Sequence, residues 1–142
     1  MSGGFPAVRR EVGVRATYVA LALATIVAGL AVHLGRLPSS AAPRDVLGDA
    51  LWASMLTWWV SALAPRLALG ARAALALVAC YAVEVTQLYH TPALDAVRAT
   101  RLGHLVLGGG FDPRDFAAYA LGVLAAAVLD YWWRRAGESS AR

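Results

Sequence analysis

Four stretches of this sequence, at about 16–34, 46–64, 71–89 and 116–133, are almost free of charge. Each approaches the roughly 20 apolar residues needed to cross a bilayer core about 30 Å thick. Backbone groups in lipid must be satisfied within the segment, so each run predicts a transmembrane helix. The expected fold class is therefore all-α: an integral membrane four-helix bundle forming one transmembrane domain over 1–142, with a long structured loop between helices 3 and 4. The first run follows Arg9, Arg10 and Arg15, as a signal peptide would. Its apolar core exceeds the usual 7–15 residues and three more spans follow, so it is read as a span.

Composition agrees, since 59% of residues are hydrophobic and 15% charged. A soluble fold of 142 residues could not hide that much apolar surface. The net charge of +4 is carried by arginines scattered between the runs, with no basic stripe and no interleaved aromatics, which argues against a nucleic-acid partner. The chain has no lysine, no asparagine and a single isoleucine, a bias that fits a GC-rich bacterial genome. The lone cysteine, Cys80, lies inside an apolar run and excludes an intramolecular disulfide.

Four spans put both termini on one side. The termini and second loop hold eight arginines, among them Arg9, Arg10, Arg15, Arg66, Arg72 and Arg142, against five in the first and third loops. The positive-inside rule then predicts a multi-pass protein of the bacterial cytoplasmic (inner) membrane with both termini cytoplasmic. Tyr18, Trp58, Trp59, Trp132 and Trp133 fall at the same ends, where amphipathic rings serve as interface anchors.

The third loop is the longest connection. Thr91-Pro92 reads as an N-cap followed by proline at the first helical position, predicting a short helix through about Leu102 with Asp95, Arg98 and Arg101 on one face. The glycine-rich run at 105–111 either dips into the membrane edge or makes a tight turn. Asp112-Pro113-Arg114-Asp115 repeats the cap-proline pattern and predicts the start of the fourth span there.

Ionisable residues within a membrane are costly and usually face the bundle interior, so they are the site candidates. His33, Asp49, Glu84, Gln87, Asp115 and Tyr119 all fall near the same, extracytoplasmic, ends of their spans. Helical spacing allows Cys80-Glu84-Gln87, Asp115-Tyr119-Gly122-Ala126 and Tyr18-Ala22-Thr25-Gly29-His33 to point inward together. Acids in one partly desolvated layer repel unless cations join them, and Arg98 and Arg101 are the nearest arginines. The expected network thus joins Glu84 to Arg98. No HxxH or HxxxH spacing exists, so neither a metal nor another cofactor is expected.

The strings Gly48-Asp49-Ala50-Leu51-Trp52-Ala53, Val83-Glu84-Val85-Thr86-Gln87-Leu88-Tyr89 and Arg98-Ala99-Thr100-Arg101-Leu102-Gly103-His104-Leu105, followed by Gly108 to Phe111, Asp115 and Tyr119, resemble the bacterial membrane family known as domain of unknown function 2809. The likeness runs from about Tyr18 to Asp130. A weaker one is to VanZ-like membrane proteins, whose pattern is E-x-x-Q, an arginine, then D-x-x-x-N-x-x-G. Glu84, Gln87, Arg98, Asp115 and Gly122 fit that pattern, with Tyr119 where asparagine is expected. These resemblances imply a shared fold and polar site rather than an activity.

Several functions remain open. The first is a pocket for an anionic or amphiphilic, lipid-like ligand, held by Arg98 and Arg101 with Glu84, Gln87 and Asp115 orienting them. The second is a structural or assembly subunit whose polar layer only locks the third loop. The third is an enzyme on a lipid-linked cell-envelope substrate, with Glu84 or Asp115 as general base, although no nucleophile–base pair stands out. A small transporter would need a homo-oligomer, since four spans are few for that task. The orientation is directly testable. A reporter active only in the periplasm should be silent when fused after Arg142 and active when inserted at Gly109; the reverse pattern would overturn the assignment.

Overall fold

A computed structural model of the chain describes residues 5–35, 40–108 and 110–139. The regular elements among them are six helices: α1 (Phe5–Gly35), α2 (Ala41–Leu63), α3 (Leu69–Thr86), α4 (Pro92–Arg98), α5 (Arg101–Leu107) and α6 (Asp115–Ser139). Four of these, α1, α2, α3 and α6, contain segments long and apolar enough to cross a membrane. The chain is a membrane protein of four such helices, with α4 and α5 forming the structured connection between the third and fourth.

The helices overrun or fall short of the apolar runs for identifiable reasons. α1 begins well before residue 16, and its first turns carry a Glu11–Arg15 ion pair of 3.1 Å at the i,i+4 spacing that suits a helix in water. α2 starts at Ala41 rather than 46, with Ser40 extended ahead of it and Pro43 in the first turn, where its missing N–H costs nothing. α3 stops at Thr86, short of residue 89. The connection holds two short helices rather than one: α4 ends at Arg98, Thr100 caps α5 by accepting from the Gly103 N–H at 2.9 Å, and Arg101 therefore leaves the face of Asp95 and Arg98. α6 begins at Asp115, because Pro113 and Arg114 form a turn in which the Asp112 carboxylate accepts from the Arg114 N–H at 2.9 Å.

α2 is the central helix, packing against α1, α3 and α6, while α3 also meets α6. Backbone approach of α1 to the other long helices is to α2 alone. Small residues dominate the seams: Ala22, Ala53, Ala62, Ala76, Ala118 and Ala126 are buried. Close approach of this kind is what holds helices together in lipid, where burial gives little. The tightest point is Gly122 on α6, where a Cβ would run into the carbonyl oxygen of Ala50 on α2. There the Ser54 hydroxyl donates to the Gly122 carbonyl at 2.9 Å. The outward faces carry leucine and valine, including Leu23, Val27, Leu75, Val78, Leu121 and Leu129, as a lipid-covered surface requires.

The two ends of the bundle differ. One, here the terminal end, holds the start of α1, the α2–α3 turn and the end of α6. The other, the α5 end, holds α4, α5 and the residues leading into α6. Two alanine substitutions should separate close approach from simple helix propensity. Gly122→Ala must push α2 from α6, and overpacking typically costs about 1–3 kcal/mol. Gly137→Ala has nothing within 4 Å of its Cβ, so it should stabilise by up to about 1 kcal/mol through propensity alone. Thermal unfolding in detergent micelles reads both signs.

Candidate functional site

At the α5 end, the last turn of α3 grips the segment entering α6. Glu84 is 0% exposed. Its Oε1 accepts from the Asp112 N–H at 2.8 Å, and its Oε2 accepts from Gln87 Nε2 at 2.9 Å and from the Tyr119 hydroxyl at 3.1 Å. The Gln87 side-chain oxygen in turn accepts from the Gly110 N–H at 3.1 Å. Two side chains one helical turn apart thus satisfy two backbone amides of the segment leading into α6. Gly108 completes the fit with φ 70°, and a Cβ there would strike the Gln87 amide.

The expected Glu84–Arg98 pairing does not form. Arg98 instead turns toward the end of α3, donating from Nη1 to the Tyr89 carbonyl at 2.8 Å and from Nη2 to the Thr86 carbonyl at 2.7 Å. Its ionic partner is Asp95 at 3.5 Å. The guanidinium fork thus joins Thr86, the last residue of α3, to Tyr89 in the connection that follows it. Arg101 is exposed at the start of α5. Neither arginine is bonded to Glu84, whose charge is answered by one amide, one hydroxyl and one backbone N–H.

The remaining candidates line a cavity of about 570 Å³ at the α5 end, bounded by α1, α2, α5 and the start of α6. Its polar part includes His33, Asp49, Gln87, Asp115 and Tyr119; its apolar part includes Ile26, Leu30, Trp52 and Met55. The Asp49 and Asp115 carboxyl groups lie near one another across the α2–α6 seam. His104 and Arg44 also reach the lining, whereas Glu84, Arg98 and Arg101 do not. The sequence layer therefore divides. Glu84, Gln87 and Tyr119 clamp the loop, Arg98 caps α3, and Asp49, Asp115 and His33 face open space.

A second polar assembly, at the terminal end, escaped the sequence reading. Arg72 and Asp130, each 1% exposed, form an ion pair of 2.7 Å between α3 and α6. Tyr18 of α1 joins them, donating to Asp130 Oδ1 at 2.6 Å and accepting from Arg72 Nη1 at 2.9 Å. Arg134 donates from Nε to Asp130 and to Tyr18, both at 3.1 Å, and from Nη2 again to Tyr18. Tyr18 and Trp58 stack with centroids 6.1 Å apart and are buried, so neither is an interface anchor; Trp132 and Trp133 are exposed. The available signal was Asp130 inside an otherwise apolar run, four residues before Arg134. Arg72, counted among loop arginines, has its charge answered inside the protein.

A family model described as Protein of unknown function (DUF2809) matches residues 38–123. The matched stretch holds the clamp, Arg98, the four cavity-lining aspartates and Gly122, and it leaves out α1 with His33 and Tyr18. No solved structure matches the chain.

The different surroundings of the acids give opposite expectations. Glu84→Gln turns one acceptor oxygen into a donor and strands at least one of three buried donors, at a cost of about 1–3 kcal/mol. Asp49→Asn faces the cavity and keeps a hydrogen-bonding partner for Asp115, so it should stay within about 0.5 kcal/mol of wild type. Thermal unfolding of the two variants in detergent compares them; a larger loss for Asp49→Asn would refute the division of roles.

Proposed function

The chain belongs to the DUF2809 family, and from that premise we propose that it is a membrane-embedded binding module whose cavity takes up an amphiphile, head group toward Asp49 and Asp115 and apolar part along Ile26, Trp52 and Met55. The observation that carries this reading is the cavity itself: about 570 Å³, lined both by apolar side chains and by a few polar groups. Ligand pockets span roughly 300–1,000 Å³ and join apolar walls to a few convergent polar groups.

The lining also bears on the head group. With Arg98 and Arg101 directed elsewhere, Arg44 is the arginine of the lining, against Asp45, Asp49, Asp112 and Asp115. Hydrogen-bond donors, such as an ammonium or hydroxyls, suit those acids better than an anion does. The arginine asymmetry supports cytoplasmic termini in a bacterial inner membrane, with this cavity near the extracytoplasmic face; Arg36 and Arg142 of that count lie outside the described residues. A structural reading has its own support, because Glu84, Gln87 and Arg98 are all occupied in fastening the α3–α6 connection.

Two glycines distinguish these readings. Gly29 and Gly48 line the cavity, and a Cβ on either meets nothing within 4 Å. Leucine at both positions fills the space without touching the clamp. Native mass spectrometry of protein released from mild detergent should show a retained amphiphile on the wild type and at least tenfold less on Gly29→Leu/Gly48→Leu, with both equally stable. A wild type that carries no adduct, or a double variant that keeps it, would favour the structural reading.

A further inference from the structure

We infer that the cavity opens sideways into the bilayer between α1 and α5, and that its occupant is an acyl chain of a lipid drawn from the surrounding membrane. The inference deepens the amphiphile reading and rests on it. Among the described residues α1 makes backbone contact with α2 and with no other long or short helix. α1 and α5 therefore both line the cavity without backbone contact between them.

Two residues mark the seam between them. Leu30 of α1 and Val106 of α5 both line the cavity and are 42% and 46% exposed. Leu30 belongs to the stripe Leu23, Val27, Leu30, Leu34, spaced four, three and four apart and exposed throughout. Such a stripe on a helix apolar enough to cross a membrane faces acyl chains. The apolar wall of the cavity is thus continuous, through Leu30, with surface that lipid already covers.

The rim has the complementary character. His33, Asp45 and His104 line the cavity and are exposed, so polar groups stand at the end of α1 and the start of α2 while Ile26, Trp52 and Met55 lie deeper. A bilayer lipid entering between Leu30 and Val106 keeps its head group at that rim and lays one chain inward. Leaving the apolar part empty forfeits dispersion contacts along its whole lining, and a chain that never leaves hydrocarbon restores them without desolvation. A ligand entering from water would instead have to pass the charged rim with its apolar part foremost.

Photo-crosslinking tests this. The protein is reconstituted in phosphatidylcholine vesicles containing a phosphatidylcholine with a diazirine in one acyl chain. After irradiation, peptide mass spectrometry should find label at Trp52 or Met55 as well as at the outward Leu23 and Val27. Leu30→Trp/Val106→Trp narrows the seam without touching the deep lining. It should lower labelling at 52–55 at least fivefold and leave labelling at Leu23 and Val27 unchanged. Wild-type label confined to the outward residues, undiminished label at 52–55 in the double variant, or cross-linking of 30 or 106 to a second copy of the chain would each overturn lateral entry. A water-soluble short-chain diazirine amphiphile separates the two levels. If it labels 52–55 while the bilayer lipid does not, the amphiphile cavity stands and the lateral route falls; if neither labels, both fall.

Discussion

In lipid no polar group can turn to water, and the buried polar side chains of this bundle are largely joined to one another under that constraint. Two such assemblies stand at opposite ends. At the terminal end Tyr18, Arg72, Asp130 and Arg134 exchange donors and acceptors until both acceptor oxygens of the buried aspartate are occupied. At the α5 end Glu84 and Gln87 take up loop amides. Both assemblies include α3, which is thereby fixed to α6 at one end and to the segment leading into α6 at the other. Between them the seams consist of small residues, which hold helices close but confer little register. Register comes from the polar ends: displacing α3 by a turn would strand a guanidinium at one and a carboxylate at the other, and a stranded buried charge typically costs about 3–5 kcal/mol.

The same constraint sorts the acids. Glu84 has three donors, Asp130 has two guanidinium groups and a phenol, and Glu11 has Arg15 and Arg66. All of these are used up in holding the fold. Asp49 and Asp115 have each other, across a seam beside open space. The pair thus differs from Glu84, Asp130 and Glu11 in lining the cavity.

The spans were legible because length and apolarity alone specify a membrane helix, whatever packs against it. Gly122 was likewise visible at helical spacing from Tyr119, although only the α2 backbone shows why it cannot be larger. What the sequence hid was partner choice. Glu84 and Arg98 look like a pair by charge, yet Arg98 meets the carbonyl of Thr86, where α3 ends, and that of Tyr89 in the connection beyond it. Arg72 and Asp130 lie 58 residues apart at ends where a loop arginine and an interfacial acid need no explanation. The break between α4 and α5 was readable in part: Thr100-x-x-Gly103 is a capping pattern like Thr91-Pro92. Its deciding element, Gly103 set against the Val97 carbonyl, is a contact that spacing cannot show.

Glycine separates the places where this chain must close from the place where it stays open. At Gly103, Gly108 and Gly122 a Cβ would strike a neighbour, and the missing side chain lets two segments meet. At Gly29 and Gly48 nothing stands within 4 Å, and both line the cavity. The side-chain hydrogen bonds that tie α1 to the rest of the chain, among the described residues, come from Glu11, Arg15 and Tyr18, all toward the terminal end. From Thr25 onward the described part of α1 packs against α2, and the Thr25 hydroxyl donates back into its own turn, to the Leu21 carbonyl. The terminal end of α1 is thus held by polar groups and the end beside the cavity by packing on α2.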